Sequence, residues 1–103
     1  MDGRYLETLS GFGLPANIDT WQNLMLVPEL KACVFLLNEK NQVVVRLGLA
    51  ADWLGQIKDL RGQPDEWVDG QFVHPHDACF CPNGDIFVAE WVATGRVTKL
   101  VRV

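Results

Sequence analysis

The feature that most constrains this chain is an internal repeat. In each half of the sequence a proline (Pro15, Pro75) precedes an apolar run that ends near a glutamate (Glu29, Glu90). Sixty positions separate the two prolines, and sixty-one separate the two glutamates. A pattern that recurs at a fixed spacing indicates that one supersecondary unit is used more than once. The chain is therefore predicted to fold as two copies of a small unit.

The second copy predicts three antiparallel strands. Ile86 to Glu90 is rich in apolar and β-branched residues, which suit a half-buried pleated surface. Asn83-Gly84 before it is a strong hairpin signal, because both residues tolerate a positive φ, and it joins this strand to one predicted over residues 78–81. A turn at Gly95 leads to a third strand over residues 96–103. Three short strands in a meander are typical of one blade of a β-propeller.

The first copy predicts four strands, over residues 16–21, 24–27, 33–37 and 42–47, and residues 4–9 alternate loosely enough to form a further one. Between the copies, Leu49, Trp53, Ile57 and Leu60 recur at helical spacing and predict a short surface helix. The predicted organisation is a single domain over residues 1–103. It comprises an outer strand at 4–9, blade 1 at 14–48, an insertion with the short helix at 49–71 and blade 2 at 72–103.

The composition is that of an ordinary globular domain: 49% of the 103 residues are apolar and 21% are charged. A net charge of −4 and a pI near 4.9 disfavour nucleic acid as a partner, since nucleic acid needs a basic surface. The longest apolar run is far too short to span a bilayer, which disfavours a membrane. Three cysteines and no apolar stretch of signal-peptide length at the start predict a cytoplasmic protein with free thiols.

The motifs of the second copy resemble those of NHL-type six-bladed β-propellers. The likeness lies in Pro75-His76-Asp77, in the run from Asn83 to Trp91 and in the run from Gly95 to Leu100. The first copy departs further from the pattern, because Gln22-Asn23 stands where the family has a glycine turn. The resemblance implies a mostly β fold with two propeller-like, antiparallel, four-stranded blades, and it implies little about function, since propellers host many activities.

A two-blade chain is too short to close a propeller, so the resemblance implies a terminal segment of a longer ring or an oligomer. The second copy supplies three strands and lacks its outermost one, whereas the segment with Arg4, Tyr5, Leu6 and Leu9 is predicted to be an extra strand of that type. If each copy lends residues 4–9 to the last blade of its neighbour, every blade has four strands and closed cyclic symmetry follows. A trimer would give six blades; a dimer and a tetramer remain open.

The candidate ligand-binding residues are His74, His76, Asp77 and Trp91. Residues two apart on a strand share a face, so His74 and His76 are predicted to point alike if the strand already begins at His74, with Cys79 on the opposite face from His76. In peptidylglycine-amidating lyases, which the Pro-His motif resembles, such histidines hold zinc in the central channel, and His76 matches that position. A trimer would then gather three His76 side chains around the axis. The alternative, that His76 and Asp77 bond to backbone and fix the start of the blade, is favoured because buried polar groups usually find such partners.

Two functions fit these observations. The first is a non-enzymatic propeller module that self-assembles and binds a small molecule or a protein at the propeller face. The alternative is a metal-dependent enzyme, similar to propeller lyases or lactonases, with a divalent metal at His76 in the axial channel. The sequence has no glycine-rich phosphate loop and no Gly-x-Ser-x-Gly elbow, and the catalytic residues of the lyases have no counterpart. It therefore favours the binding module, without a cofactor, although an inactive remnant of a longer propeller would also fit.

Overall fold

The computed structural model describes residues 3–48 and 57–103, which form two antiparallel β-sheets. The chain is therefore mostly β, as the repeat predicted. Each sheet is a meander in which consecutive strands are neighbours, so each copy of the repeat gives one sheet. Sheet A contains four strands, β1 (Asp19–Trp21), β2 (Leu24–Glu29), β3 (Cys33–Leu37) and β4 (Val43–Leu47). Sheet B contains three, β5 (Pro75–Phe80), β6 (Ile86–Glu90) and β7 (Arg96–Leu100).

Two of the turns contain a residue with a left-handed backbone. Gly84, with a φ of 90° between β5 and β6, accepts it readily because glycine has no Cβ, whereas Gln22, with a φ of 52° between β1 and β2, is an uncommon residue in this conformation. The strand predicted over residues 16–21 begins later, at Asp19. Residues before it still pair with the end of β2, since the amide of Ala16 donates to the carbonyl of Pro28 at 2.9 Å.

The insertion differs from its prediction. Its described part contains one four-residue helical turn, α1 (Ile57–Leu60), and a 3₁₀ turn (Pro64–Glu66), and it does not contain a surface helix of the predicted length. The start of that predicted helix, with Leu49 and Trp53, lies outside the described residues. Gly62 and Pro64 interrupt the helical pattern soon after Leu60, which explains why α1 ends there. No helix in the described ranges is long and apolar enough to cross a membrane.

The two sheets pack face to face around one apolar core. Because side chains alternate along a strand, each sheet has two faces. The face of sheet A that carries Leu26 and Val34 packs against the face of sheet B that carries Ile86 and Val88. We call the first the forward face of sheet A and the second the back face of sheet B. The opposite faces are the back face of sheet A and the forward face of sheet B. Phe72 completes that core from the segment before β5, and the residues of sheet B that contribute to it are Ala78, Ile86 and Val88. All six residues are buried, so this contact is one that joins the two copies.

The remaining two faces have different surroundings. The back face of sheet A, with Val27, Phe35 and Leu37, is partly covered by Leu9 and Phe12 of the N-terminal segment. The ring of Phe12 packs edge-on against Phe35, with the centroids 5.1 Å apart. The forward face of sheet B carries Cys79, Phe87, Ala89 and Val97, which line a shallow cavity of about 90 Å³.

Candidate functional site

The first strands of the two sheets, β1 and β5, lie in contact with each other. Three side chains of the first copy reach across to the second copy: Asn17 Nδ2 donates to Asp77 Oδ1, Asp19 Oδ2 accepts from the amide of Phe80 at 2.7 Å, and Trp21 Nε1 donates to the carbonyl of Pro82 at 3.0 Å. These bonds fix the position of β5, and therefore of the candidate ligand-binding residues at its start.

Three of the four predicted ligand-binding residues lie together at this edge. His76, Asp77 and Trp91 line an open cavity of about 340 Å³, together with Ala89 and Glu90. The rings of His76 and Trp91 are 6.1 Å apart and inclined at 68°. The side chain of Trp91 is largely open to solvent, since the residue is 56% exposed. The arrangement offers an aromatic surface next to an imidazole and a carboxylate.

Arg61 does not line the cavity but contacts Trp91, and the sequence did not indicate this contact. Its guanidinium carbon lies 3.9 Å from the centroid of the Trp91 ring, which is a close cation–π contact. The carbonyl of Arg61 accepts from the amide of Ala93 at 3.0 Å, so the backbone of the insertion is tied to the turn after β6. Burial of Leu60 against Val92 holds the same segment in place. No local pattern identifies this contact, because it depends on how the insertion folds back.

His74 is not among the residues that line this cavity. It precedes β5 with a φ of 52°, and its ring Nδ1 contacts the carbonyl of Leu30 in the first copy. Its own carbonyl accepts from the amide of Trp91 at 2.9 Å. A shift in the β5–β6 register between Pro75 and Asp77 breaks the alternation of side chains. Because β5 begins only at Pro75, after His74, the condition for His74 and His76 to share a strand face is not met, and the register shift separates them further.

Glu90 lines the cavity and also anchors the segment that precedes β5. Its carboxylate accepts from the amide of Val73 at 2.5 Å and pairs with the guanidinium of Arg96 through both oxygens. Arg96 Nη2 also donates to the carbonyl of Gln71 at 2.6 Å. The hydrogen bonds to Glu90 raise the pKa of Arg96 above its ordinary value. Both carboxylate oxygens of Glu90 are thus engaged in structural contacts.

The described residues around His76 do not form a complete zinc ligand set. Among residues 3–48 and 57–103, no three His, Cys, Asp or Glu side chains lie close enough to share a metal ion. Asp77 Oδ1 accepts from Asn17 and from the amide of Ala78 at 2.8 Å. Zinc sites in proteins use at least three side-chain ligands, so a zinc ion at His76 would need ligands beyond these described side chains.

The cysteines do not form a nucleophilic centre with these residues. Burial, and then the charge of Glu29, raise the pKa of the Cys33 thiol to about 11. Cys79 is exposed on the forward face of sheet B, away from the cavity at His76. A thiol acts as a nucleophile in its deprotonated form, and Cys33 is therefore inert in the folded chain.

The predicted oligomer strand belongs to neither sheet in the single chain. Arg4 is exposed, as are Tyr5 and Leu6 at 76% and 77%, whereas Leu9 packs on the back face of sheet A. An open groove of about 450 Å³ lies between this segment and the sheet. It is lined mainly by apolar side chains, among them Leu6, Leu9, Phe12, Ile18, Met25 and Val27.

Neither a protein-family model, nor a curated protein, nor a solved structure matches this chain in comparisons with known proteins. The resemblance to NHL-type propellers accordingly rests on the sequence motifs of residues 75–77, 83–91 and 95–100.

Proposed function

We propose that this chain is a non-enzymatic, NHL-like propeller module that self-assembles by strand exchange and binds a small ligand or a protein at its propeller face. The observation that carries the proposal is the difference between the two sheets. Sheet A has four strands, whereas sheet B ends at β7 after three. Among the described residues, no strand pairs with the second edge of β7.

The open edge of β7 is suited to accept a strand. An edge strand presents a row of N–H and C=O groups that another segment can pair with. In sheet A the fourth strand, β4, covers the corresponding edge of β3. Residues 4–9 have the length of an average strand and lie outside both sheets. Lending them to β7 of a neighbouring copy gives sheet B the same number of strands as sheet A.

The ligand-binding part of the proposal rests on Trp91, Arg61 and His76. An exposed indole with a guanidinium over its ring provides both an apolar surface and a positive charge. A small ligand with a ring and a carboxylate would match this chemistry, because the ring stacks on aromatic surface and the carboxylate pairs with Arg61. Ligands of this kind are usually held by a few polar groups in a largely apolar cleft.

Light scattering tests the assembly. The native chain should have a mass that is a multiple of 11.6 kDa, with three copies favoured. Leu6→Pro should shift the mass to that of one chain, because proline cannot donate to a strand ladder, whereas the control Leu6→Thr should assemble as the native chain does. Leu6 is exposed, so neither change disturbs the single chain. A native protein that runs as a single chain, or a Leu6→Pro variant that assembles normally, would rule out strand exchange.

Calorimetric titration with benzoate tests the ligand. Binding should be weakened about tenfold in Arg61→Gln, since a charge-assisted contact is lost. Equal binding by the native and Arg61→Gln chains, or none by either, would exclude this ligand chemistry without affecting the assembly.

A further inference from the structure

The packing of sheet A on sheet B shows what each kind of face binds. Leu26 and Val34, on the forward face of sheet A, lie in one buried cluster with residues of the second copy. Those residues are Phe72, Ala78, Ile86 and Val88, and they form the receiving surface on the back of sheet B. The chain therefore contains one complete forward-to-back contact.

The repeat places equivalent projecting residues on the forward face of sheet B. Phe87 precedes Glu90 by three positions, as Leu26 precedes Glu29. Val97 pairs with Ala89, which directly precedes Glu90. In the same way, Val34 pairs with Pro28, which directly precedes Glu29. Phe87 and Val97 are 39% and 68% exposed. The residues that fill the contact in the first copy are thus repeated, and left open, in the second.

The repeat also places an equivalent receiving surface on the back of sheet A. Phe12 and Phe72 each precede the proline of their copy by three positions. Ile18 and Ala78 each follow that proline by three positions. Counted back from the two glutamates, Met25 and Val27 correspond to Ile86 and Val88. All four counterparts, Phe12, Ile18, Met25 and Val27, line the groove of about 450 Å³ beside the N-terminal segment.

We infer that this groove receives Phe87 and Val97 of a second copy of the chain, so that the forward face of sheet B docks on the back face of sheet A of the next molecule. The inference deepens the proposed self-assembly and rests on it. The two faces differ, so the contact is head to tail, and repetition of it closes a ring or extends a filament. Leu6 and Leu9 also line the groove. Docking would therefore occur beside the segment that strand exchange transfers to β7.

The test uses one charged substitution on each face, at side chains exposed in the single chain. Val97→Glu blocks the forward face and Ile18→Glu, at a residue 60% exposed, blocks the back face. Val68→Glu, at a residue 47% exposed in the insertion, is the matched control outside both faces. Each face variant should have the mass of one chain by light scattering, whereas the control should assemble as the native chain does. Circular dichroism confirms that each variant is folded.

An equimolar mixture of Val97→Glu and Ile18→Glu makes the test directional. One intact forward face and one intact back face remain in each pair, so the mixture should stop at twice the mass of one chain. If a glutamate variant does not fold, the serine variant at the same position, Val97→Ser or Ile18→Ser, replaces it. The protein concentration at which half of the chains are assembled should then be about tenfold higher than for the native chain.

Three results would overturn the inference. If the mixture stays at the mass of one chain, the two faces do not bind each other. If Val97→Glu assembles normally while Leu6→Pro does not, strand exchange occurs without this docking. If the native chain itself is a monomer in solution, the inference and the proposed self-assembly fail together.

Discussion

Replacement of Arg96 by methionine is the most direct test of what holds the second sheet together. The side chain of Glu90 has no exposed surface, and that of Arg96 is only 16% exposed. Arg96 binds both carboxylate oxygens of Glu90 and the carbonyls of Gln71 and Val68. Methionine retains much of the apolar stem but removes every one of these hydrogen bonds. Glu90 is then left as a buried carboxylate with only the amide of Val73 as a donor.

The expected loss follows from the burial of that charge. Removal of one partner from a buried ion pair typically destabilises a protein by about 3–5 kcal/mol, because the remaining charge can reach neither its partner nor water. A domain of this length has a total stability of roughly 5–15 kcal/mol. Arg96→Met should therefore lose a large fraction of the free energy of unfolding. The double variant Glu90→Gln/Arg96→Met should lose much less, since no buried charge remains and the glutamine oxygen can still accept from Val73.

Urea unfolding followed by tryptophan fluorescence measures this difference. With a slope of about 1–3 kcal/mol per molar urea, the midpoint of Arg96→Met should fall by about 1 M or more. All samples need the same protein concentration, because assembly contributes to apparent stability. A loss below about 1 kcal/mol would show that the pair behaves as an exposed one. An equal loss in the single and double variants would show that the bonds to Gln71 and Val68, and not the charge on Glu90, determine the effect.

Three further changes have defined outcomes. Gly48→Ala should lower stability by about 1–3 kcal/mol in thermal unfolding, because a Cβ there would collide with the buried ring of Phe72; Gly70→Ala, with a similar φ of +82° but open space, should lose less. Cys33 should resist an aromatic disulfide reagent at about pH 8 until the chain is unfolded, because burial raises its pKa to about 11. A backbone N–H lowers the pKa of Asp85, so its stabilisation is present above the unfolded value of about 3.9 and is lost as the pH falls through the lower folded value. The urea midpoints of the native chain and Asp85→Asn should therefore converge in acid.

The strands were predictable where local sequence decides them. The bounds predicted for β3 and β6 are those observed, since each is an apolar run enclosed by turn residues. The hairpin at Asn83-Gly84 likewise has the left-handed glycine that its sequence requires. The number of strands in each sheet also followed from the repeat, which gave four to the first copy and three to the second.

The site was only partly predictable because long-range packing completes it. His76, Asp77 and Trp91 belong to one motif, so their proximity follows from a single hairpin. Arg61 reaches Trp91 only because the insertion packs on Val92 of the hairpin, and no periodicity encodes that fold-back. His74 is separated from the cavity by a register shift, which is a tertiary feature that alternation alone cannot predict.

The two copies share geometry more closely than chemistry, and the difference bears on assembly. Within the chain, Asn17, Asp19 and Trp21 bond to the second copy. At the same distances after Pro75, their counterparts are Asp77, Cys79 and Cys81. Asp77 and Cys79 lie on β5, and Cys81 lies in the turn that follows. A thiol is a weak hydrogen-bond donor, and it lacks both the charged oxygens of Asp19 and the indole N–H of Trp21.

A contact between copies would therefore depend on the apolar face with Phe87 and Val97 more than on bonds from the inner strand. The contact within the chain combines an apolar face with hydrogen bonds from the inner strand, and its two copies are also covalently connected. The intermolecular contact should accordingly be the weaker of the two, so that dilution separates copies whose paired sheets remain folded. Unfolding of the sheets at the same dilution that separates the copies would contradict this ranking, because it would mean that sheets A and B do not hold together without a neighbour.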